Sequence, residues 1–262
     1  VTVGIVGDGA LADRLRETAE SGGAKTVCGS AGETIDESAA EVVAENPDFV
    51  VAIGESALFA LVREGVSVPV LPVGVGPGYG GVPEADSNDG GESAARAAVE
   101  RLVADEYDTE TRAVLDASVG GERAGRALAD AMLVTSEPAR ISEYAVHSRD
   151  ERVASFRADG VVVSTPTGSH GYGRSAGGPL LEPGSGVVGA VPVAPFAVDV
   201  DHWVLAADEP VALTVERDEG EVSLLLDDRT VRTIAPGTRV ELVADDALEL
   251  VRPPDPRPFF ER

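Results

Sequence analysis

Apolar and polar positions fall into alternating blocks over the first hundred residues. Val1–Val6 is an apolar run that predicts a buried strand. Leu11, Leu15 and Ala19 then recur at helical spacing, with Asp8 placed as an N-cap and Gly22-Gly23 as the stop. Thr26–Cys28 predicts a short strand, and 33–45 a helix with Ile35, Ala39, Val42 and Val43 inward. Asp48–Ile53 predicts a strand, Ser56–Arg63 a helix, Val66–Val73 a strand and 92–106 a helix. This order predicts an α/β domain with a Rossmann-like parallel sheet. Ligands of such sheets sit outside the carboxyl ends of the strands. Two loops lie at such ends, Gly7-Asp-Gly-Ala10 and Gly54-Glu-Ser-Ala57. Residues 75–92, rich in Gly, Pro, Asp and Ser, read as a loop or hinge.

Beyond about residue 110 the pattern changes to successive short β runs. These are Thr111–Val119, Ile141–Val146, Arg152–Phe156, Val161–Ser164, Val187–Val193, Trp203–Ala206, Val211–Arg217, Glu221–Leu226, Thr230–Ile234 and Arg239–Val243. Turn residues between them predict a β-sandwich-like second domain. The expected division is 1–107 and 108–262. Glu122–Leu133 stands out, because its composition is helical among strands.

One segment cannot be a core helix or strand. Thr165–Pro179 carries five glycines in fifteen residues, with hydroxyls at Thr165, Thr167, Ser169, Tyr172 and Ser175. Glycines let backbone approach a ligand closely, and hydroxyls can donate to ribose or phosphate oxygens. Plain hairpin turns are far shorter. His170 beside Ser169 makes no nucleophile pair, since sequence neighbours rarely face each other; it could bond phosphate or stack on a base. Arg174 is either a bidentate phosphate partner or a surface cation paired with an acid.

The composition narrows the setting. Net charge is −25, and Lys25 is the only lysine. At 43% hydrophobic residues the chain is folded, and the acidic, lysine-poor surface is expected of a protein working in multimolar salt, where screening acts within about 3 Å. A nucleic-acid partner is not expected, because phosphate binding needs a basic face. Cys28 is the single cysteine, which fits a reducing, cytoplasmic setting, and three histidines make a structural zinc site improbable. With no long apolar run and no leader-like start, neither membrane span nor signal peptide is expected.

Ala158-Asp-Gly160, Thr165-Pro-Thr-Gly-Ser169, Tyr172 and Ser175-Ala-Gly-Gly-Pro179 resemble the signature of the NAD kinase family, which usually reads DG, TPTGSTAY and SAGGP. His170 and Gly171 depart from it. The resemblance implies the NAD kinase-like fold, with a strand and connector over Glu122–Leu133, where the helical composition leaves the element open. It also implies γ-phosphoryl transfer from ATP or polyphosphate, with Mg²⁺ carried on the nucleotide, to the adenosine ribose 2′-hydroxyl of NAD. No metal site in the protein itself is expected. Tyr172 and Ser175 are the best-matched dinucleotide contacts, joined by Thr165, Thr167, His170 and Gly171.

The family's GGDGT aligns with Ile53–Ala57, placing Glu55 where the family has its base, an aspartate, and Gly54 and Ser56 beside the donor's phosphates, together with Arg174. Glu55 as base and Glu55 as a helix-start residue favoured by the dipole both stand, with Asp8 as an alternative acid. A Cβ at Ser56 would strain the turn if φ were positive there. Ser136-Glu137 falls where the family has Asn-Glu, associated with the NAD ribose and nicotinamide. Phe196 takes the place of a histidine, and Pro258–Arg262 resembles a terminal aromatic pair that folds back on the first domain. The family implies a homo-oligomer, dimer or tetramer. A second class of function also fits: a dinucleotide-binding pseudokinase that senses or regulates.

Overall fold

The computed structural model describes residues 1–30, 32, 34–83, 91–137, 140–197, 199–256 and 258–260. Residues 84–90 of the loop expected at 75–92, and 261–262 of the terminal segment, lie outside the described residues. The chain forms two compact units, Val1–Thr111 with Leu248–Arg262, and Arg112–Ala247.

In the first unit strands and helices alternate as the apolar blocks predict. They are β1 (Thr2–Val6), α1 (Gly9–Ser21), β2 (Lys25–Cys28), α2 (Ile35–Ala44), β3 (Phe49–Ile53), α3 (Glu55–Arg63), β4 (Val70–Val73) and α4 (Gly91–Val103). The sheet is parallel in the order β2-β1-β3-β4. Leu15 and Ala19 of α1 and Ala95, Val99 and Leu102 of α4 pack on Val3, Ile5, Val51 and Leu71. On β1, Gly4 admits α2, since a Cβ there would stand 2.5 Å from Val42. β4 is shorter than expected: the Val66 amide is used by the Leu61 carbonyl at the end of α3, and Pro69 precedes the pairing.

Two helix starts resolve readings that the sequence leaves open. Asp8 occupies the N-cap position of α1, yet its side chain makes no capping bond. Ser56 lies inside α3, and its φ is not positive, so no strain is stored there. By contrast α2 carries a full capping box between Thr34 and Glu37.

β5 (Asp108–Val119) leads into the second unit. It is followed by β6 (Glu122–Ala127), β7 (Asp130–Thr135), β8 (Ser142–Ser148), β9 (Glu151–Ala158), β10 (Gly160–Ser164), α5 (Tyr172–Ser175), β11 (Val187–Val193), β12 (Trp203–Ala206), β13 (Val211–Arg217), β14 (Val222–Leu226), β15 (Arg229–Thr233) and β16 (Arg239–Arg252). One antiparallel layer runs β16-β13-β8-β9, with β5 and β6 beside it; the other runs β12-β11-β10-β7-β14-β15. Their inner faces share one core, including Tyr144, Val146 and Leu213 of the first layer and Leu133, Val161, Val163 and Leu224 of the second. Each such side chain contributes about 1.5–3 kcal/mol. Tyr144, fully buried, satisfies its hydroxyl with Thr135 at 2.8 Å and the Asp159 carbonyl at 3.2 Å.

The helical composition of Glu122–Leu133 is overridden: the segment is β6 and the start of β7. Ala127, Ala131 and Leu133 bury in the sandwich core, and β7 pairs on both sides, with β10 and β14. Tertiary burial outweighs the few tenths of a kcal/mol per residue that separate propensities. The last strand is also longer than expected. β16 continues to Arg252, and its end pairs with β4 at Leu250.

Candidate functional site

The glycine-rich segment leaves β10 at Ser164, which the register sets opposite Asp130, the first residue of β7. The segment divides into two halves. Residues 165–169 are buried, and the hydroxyls of Thr165 and Ser169 hold the turn itself. Thr165 donates to the Leu128 carbonyl at 2.6 Å and accepts from the Gly168 amide at 3.2 Å. Ser169 donates to the Pro166 carbonyl at 2.7 Å and accepts from Leu181 at 3.0 Å. The Thr165 hydroxyl is thus engaged within the segment, and Thr167 is 2% exposed.

The outer half is presented to solvent. Gly171, Tyr172, Arg174 and Ser175 are exposed, Tyr172 at 60%, and His170 is half-buried. Ser175 donates to the Gly171 carbonyl at 3.2 Å. Among the described residues Arg174 has no ion pair, so its guanidinium is available to an anion.

Two glycines are required by close packing. A Cβ at Gly168 would overlap the Ala129 carbonyl, and one at Gly173 would stand 2.5 Å from Ser164 Oγ. The seat beneath the segment is Leu128–Asp130. It is held by Asp227, whose carboxylate accepts from the amides of Leu128 (2.8 Å), Ala129 (2.8 Å) and Asp130 (3.1 Å).

Asp130 is the residue that the sequence pattern did not reveal. It is 6% exposed, accepts from Ser164 Oγ and also receives the Tyr172 backbone amide. Burial pushes its carboxyl up to about 7, helped by the nearby Asp227 charge; the Ser164 and Tyr172 donors pull the other way. Burial likewise raises Asp227 to about 6 against its three amide donors. The available signal was an acid inside the apolar run Ala127–Val134.

Ser136 and Glu137 lie elsewhere. They follow the far end of β7, six residues past Asp130, about 20 Å along the strand at ~3.3 Å per residue. There Ser136 Oγ meets Ser223 Oγ at 3.1 Å and Glu137 pairs with Arg140 at 3.7 Å. Geometry separates this pair from the glycine-rich segment and puts Asp130 against it instead. Phe196 is 71% exposed, with the Arg157 guanidinium 5.7 Å from its ring centroid.

In the first unit a crevice of about 590 Å³ opens at the carboxyl ends of β1, β2 and β3. It lies where the strand order reverses, the usual ligand position in such sheets. Asp8, Arg16, Ser30 and Ser56 line it; Glu55 does not. Glu55, at the first turn of α3, faces the 3₁₀ turn Pro77–Tyr79 that follows β4. Its Oε1 accepts from the Gly76 amide at 3.2 Å and its Oε2 from the Tyr79 hydroxyl at 3.4 Å. Gly54, with φ +84°, begins the helix and leaves no side-chain cap on the first amides of α3.

Among the described residues no three His, Cys, Asp or Glu side chains group to hold a metal ion, and no helix is long and apolar enough to cross a membrane.

The family model described as the ATP-NAD kinase C-terminal domain matches residues 128–251. An NAD kinase from Methanospirillum hungatei is 28% identical over 215 residues, covering 82% of this chain and 75% of that protein. One from Chlorobium chlorochromatii is 31% identical over 191 residues, covering 72% of this chain and 65% of that protein. Among solved structures, a yeast NADH kinase complexed with NADH aligns with TM-score 0.78 at 13% identity, covering 99% of this chain and 84% of that one. An NAD kinase from Archaeoglobus fulgidus in complex with ATP aligns with TM-score 0.69 at 21% identity, covering 95% and 91%. These two likenesses establish the fold.

Proposed function

The chain belongs to the NAD kinase family, and from that footing we propose that it transfers the γ-phosphoryl group of ATP or polyphosphate to the adenosine ribose 2′-hydroxyl of NAD, giving NADP. The observation that carries this reading is the division of Thr165–Pro179. A buried half locks the backbone, and an exposed half offers Gly171, Tyr172, Ser175, Arg174, which has no ion pair among the described residues, and half-buried His170 to a dinucleotide.

The donor arrives as its Mg²⁺ complex, the metal being carried on the phosphates as part of the substrate. Uncapped amides at the start of α3, beside Gly54 and Ser56, suit phosphate oxygens because the helix dipole is positive there. In the transfer, Glu55 accepts the proton of the 2′-hydroxyl. The ribose oxygen forms its bond to the γ-phosphorus as the bond to the β–γ bridging oxygen breaks, and ADP leaves. Such a reaction asks chiefly for positioning and charge neutralisation. A cytoplasmic, high-salt setting and a homo-oligomeric state belong to the same proposal.

A second reading is supported by one observation. Both Glu55 carboxylate oxygens are engaged by Gly76 and Tyr79, as they would be in a dinucleotide-binding pseudokinase whose former base only ties a loop. Titration calorimetry with NAD and NADP, in concentrated KCl, tests what the two readings share. Binding that weakens at least tenfold in Tyr172→Ala or Arg174→Ala supports both. Absence of binding to either dinucleotide sinks both.

A further inference from the structure

Asp130 stands one bond away from the surface that meets the ligand in the proposed function, on which this inference rests. Its carboxylate receives the amide of Tyr172, and a Cβ at Gly171 would lie 3.3 Å from its Oδ2. Behind it the backbone is fixed: Asp227 takes the Asp130 amide, and the Asp227 amide returns to the Asp130 carbonyl at 2.8 Å. A carboxylate so buried would ordinarily be paired with a cation. The charged neighbour here is another acid, Asp227, and the partners are a hydroxyl and an amide.

The carboxyl therefore sits close to the balance between its two protonation states near neutral pH. A dinucleotide touching Gly171 and Tyr172 brings a doubly charged pyrophosphate near it, and further negative charge favours the protonated acid.

We propose that Asp130 is the positioning residue of the dinucleotide-binding segment and that it takes up a proton when the dinucleotide binds. Protonation leaves the seat intact. The acid's hydroxyl can turn to Ser164 Oγ while its carbonyl oxygen keeps the Tyr172 amide. The segment then stays closed over Asp130 without a second buried charge beside the ligand. Above neutrality binding must draw that proton from solvent, and affinity falls with pH.

Other titratable or charged groups surround the segment. His170, Tyr172 and Arg174 lie on it, His202 approaches Gly177, and Asp227 and Asp228 come from the β14–β15 turn. Of these, His170 is the competitor for proton uptake at neutral pH.

The test is calorimetry of NAD binding to the full chain in concentrated KCl, repeated in buffers of different ionisation enthalpy between pH 6 and 8.5. The expected result is uptake that rises toward one proton per NAD at the upper end, with Kd increasing by up to about tenfold per pH unit. Asp130→Asn should bind with no such uptake and with Kd changing less than about twofold over the range. Ser164→Ala removes a donor that favours the charged form, so its uptake curve should move to higher pH. His170→Asn should keep the uptake whatever it does to affinity. Uptake that persists in Asp130→Asn, or vanishes in His170→Asn, overturns the inference and leaves dinucleotide binding standing. Absence of NAD binding at every pH in the unmodified chain removes the proposed function itself.

Discussion

Asp227 and Asp130 are joined in both directions: the Asp227 carboxylate accepts the Asp130 amide at 3.1 Å, and the Asp227 amide donates to the Asp130 carbonyl at 2.8 Å. With the Leu128 and Ala129 amides on the same carboxylate, one side chain from the β14–β15 turn fixes the floor of the glycine-rich segment.

Asp227→Ala leaves three buried amides without their acceptor. At about 1 kcal/mol each, the expected loss is about 3 kcal/mol, a fall in melting temperature of roughly 6–12 °C. NAD affinity should fall with it, because the floor carries the segment. A melting temperature within a degree of wild type would show that the turn stands without Asp227.

The pH dependence of stability has a definite sign. Asp130 (about 7) and Asp227 (about 6) are both raised by burial from an ordinary value near 3.8. Between that value and the raised ones the folded chain binds more protons than the unfolded chain. Their contribution is thus fully present below about pH 4 and is lost as pH rises toward 7. His147 acts oppositely, since burial and then Arg239 and Arg152 lower it, and its contribution grows as pH rises. Denaturant unfolding from pH 5 to pH 8 should show a net loss on the order of 3 kcal/mol. In Asp130→Asn the loss should be clearly smaller. An identical pH slope in the variant would contradict the burial argument.

Gly173→Ala should place a methyl 2.5 Å from Ser164 Oγ and lift the start of α5, weakening NAD binding about tenfold or more. Ser164→Ala in the same chain removes that oxygen, leaving the Ser164 Cβ at 3.2 Å as the nearest atom. The double variant should therefore recover part of the affinity. Additive losses would mean that the contact is not the cause.

Glu55 holds the Gly76 amide and the Tyr79 hydroxyl with its two carboxylate oxygens, which an arm one methylene shorter would not reach together. Glu55→Asp should lose both contacts. Tyr79→Phe should lose one while keeping its edge-on packing against Phe59. If Glu55 is the base, Tyr79→Phe lowers kcat roughly tenfold with KM within about twofold, because misplacement of a reacting group is felt in turnover. Steady-state kinetics of the two variants decide it, and a change confined to KM would assign Tyr79 to binding.

The first unit was legible because its apolar runs, such as Val1–Val6 and Asp48–Ile53, are separated by helices with clear apolar faces. The glycine-rich segment was legible because no regular element tolerates five glycines. Glu122–Leu133 was not, since Arg and Ala favour a helix locally and only the pairing of β7 with β10 and β14 reverses that. Asp130 was hidden for a related reason: its importance comes from partners 34 and 97 residues away, Ser164 and Asp227, which no local pattern connects. Strand register, which places Asp130 and not Glu137 beside the segment, is a tertiary property.

Phosphoryl transfer is tested by NADP formation with the purified full chain in concentrated KCl with NAD, ATP and Mg²⁺, beside Glu55→Gln. Steady accumulation of NADP by the unmodified chain, and its loss by at least a hundredfold in the variant, is the expected result. NAD that binds but is never phosphorylated by either protein would contradict phosphoryl transfer and leave a dinucleotide-binding protein.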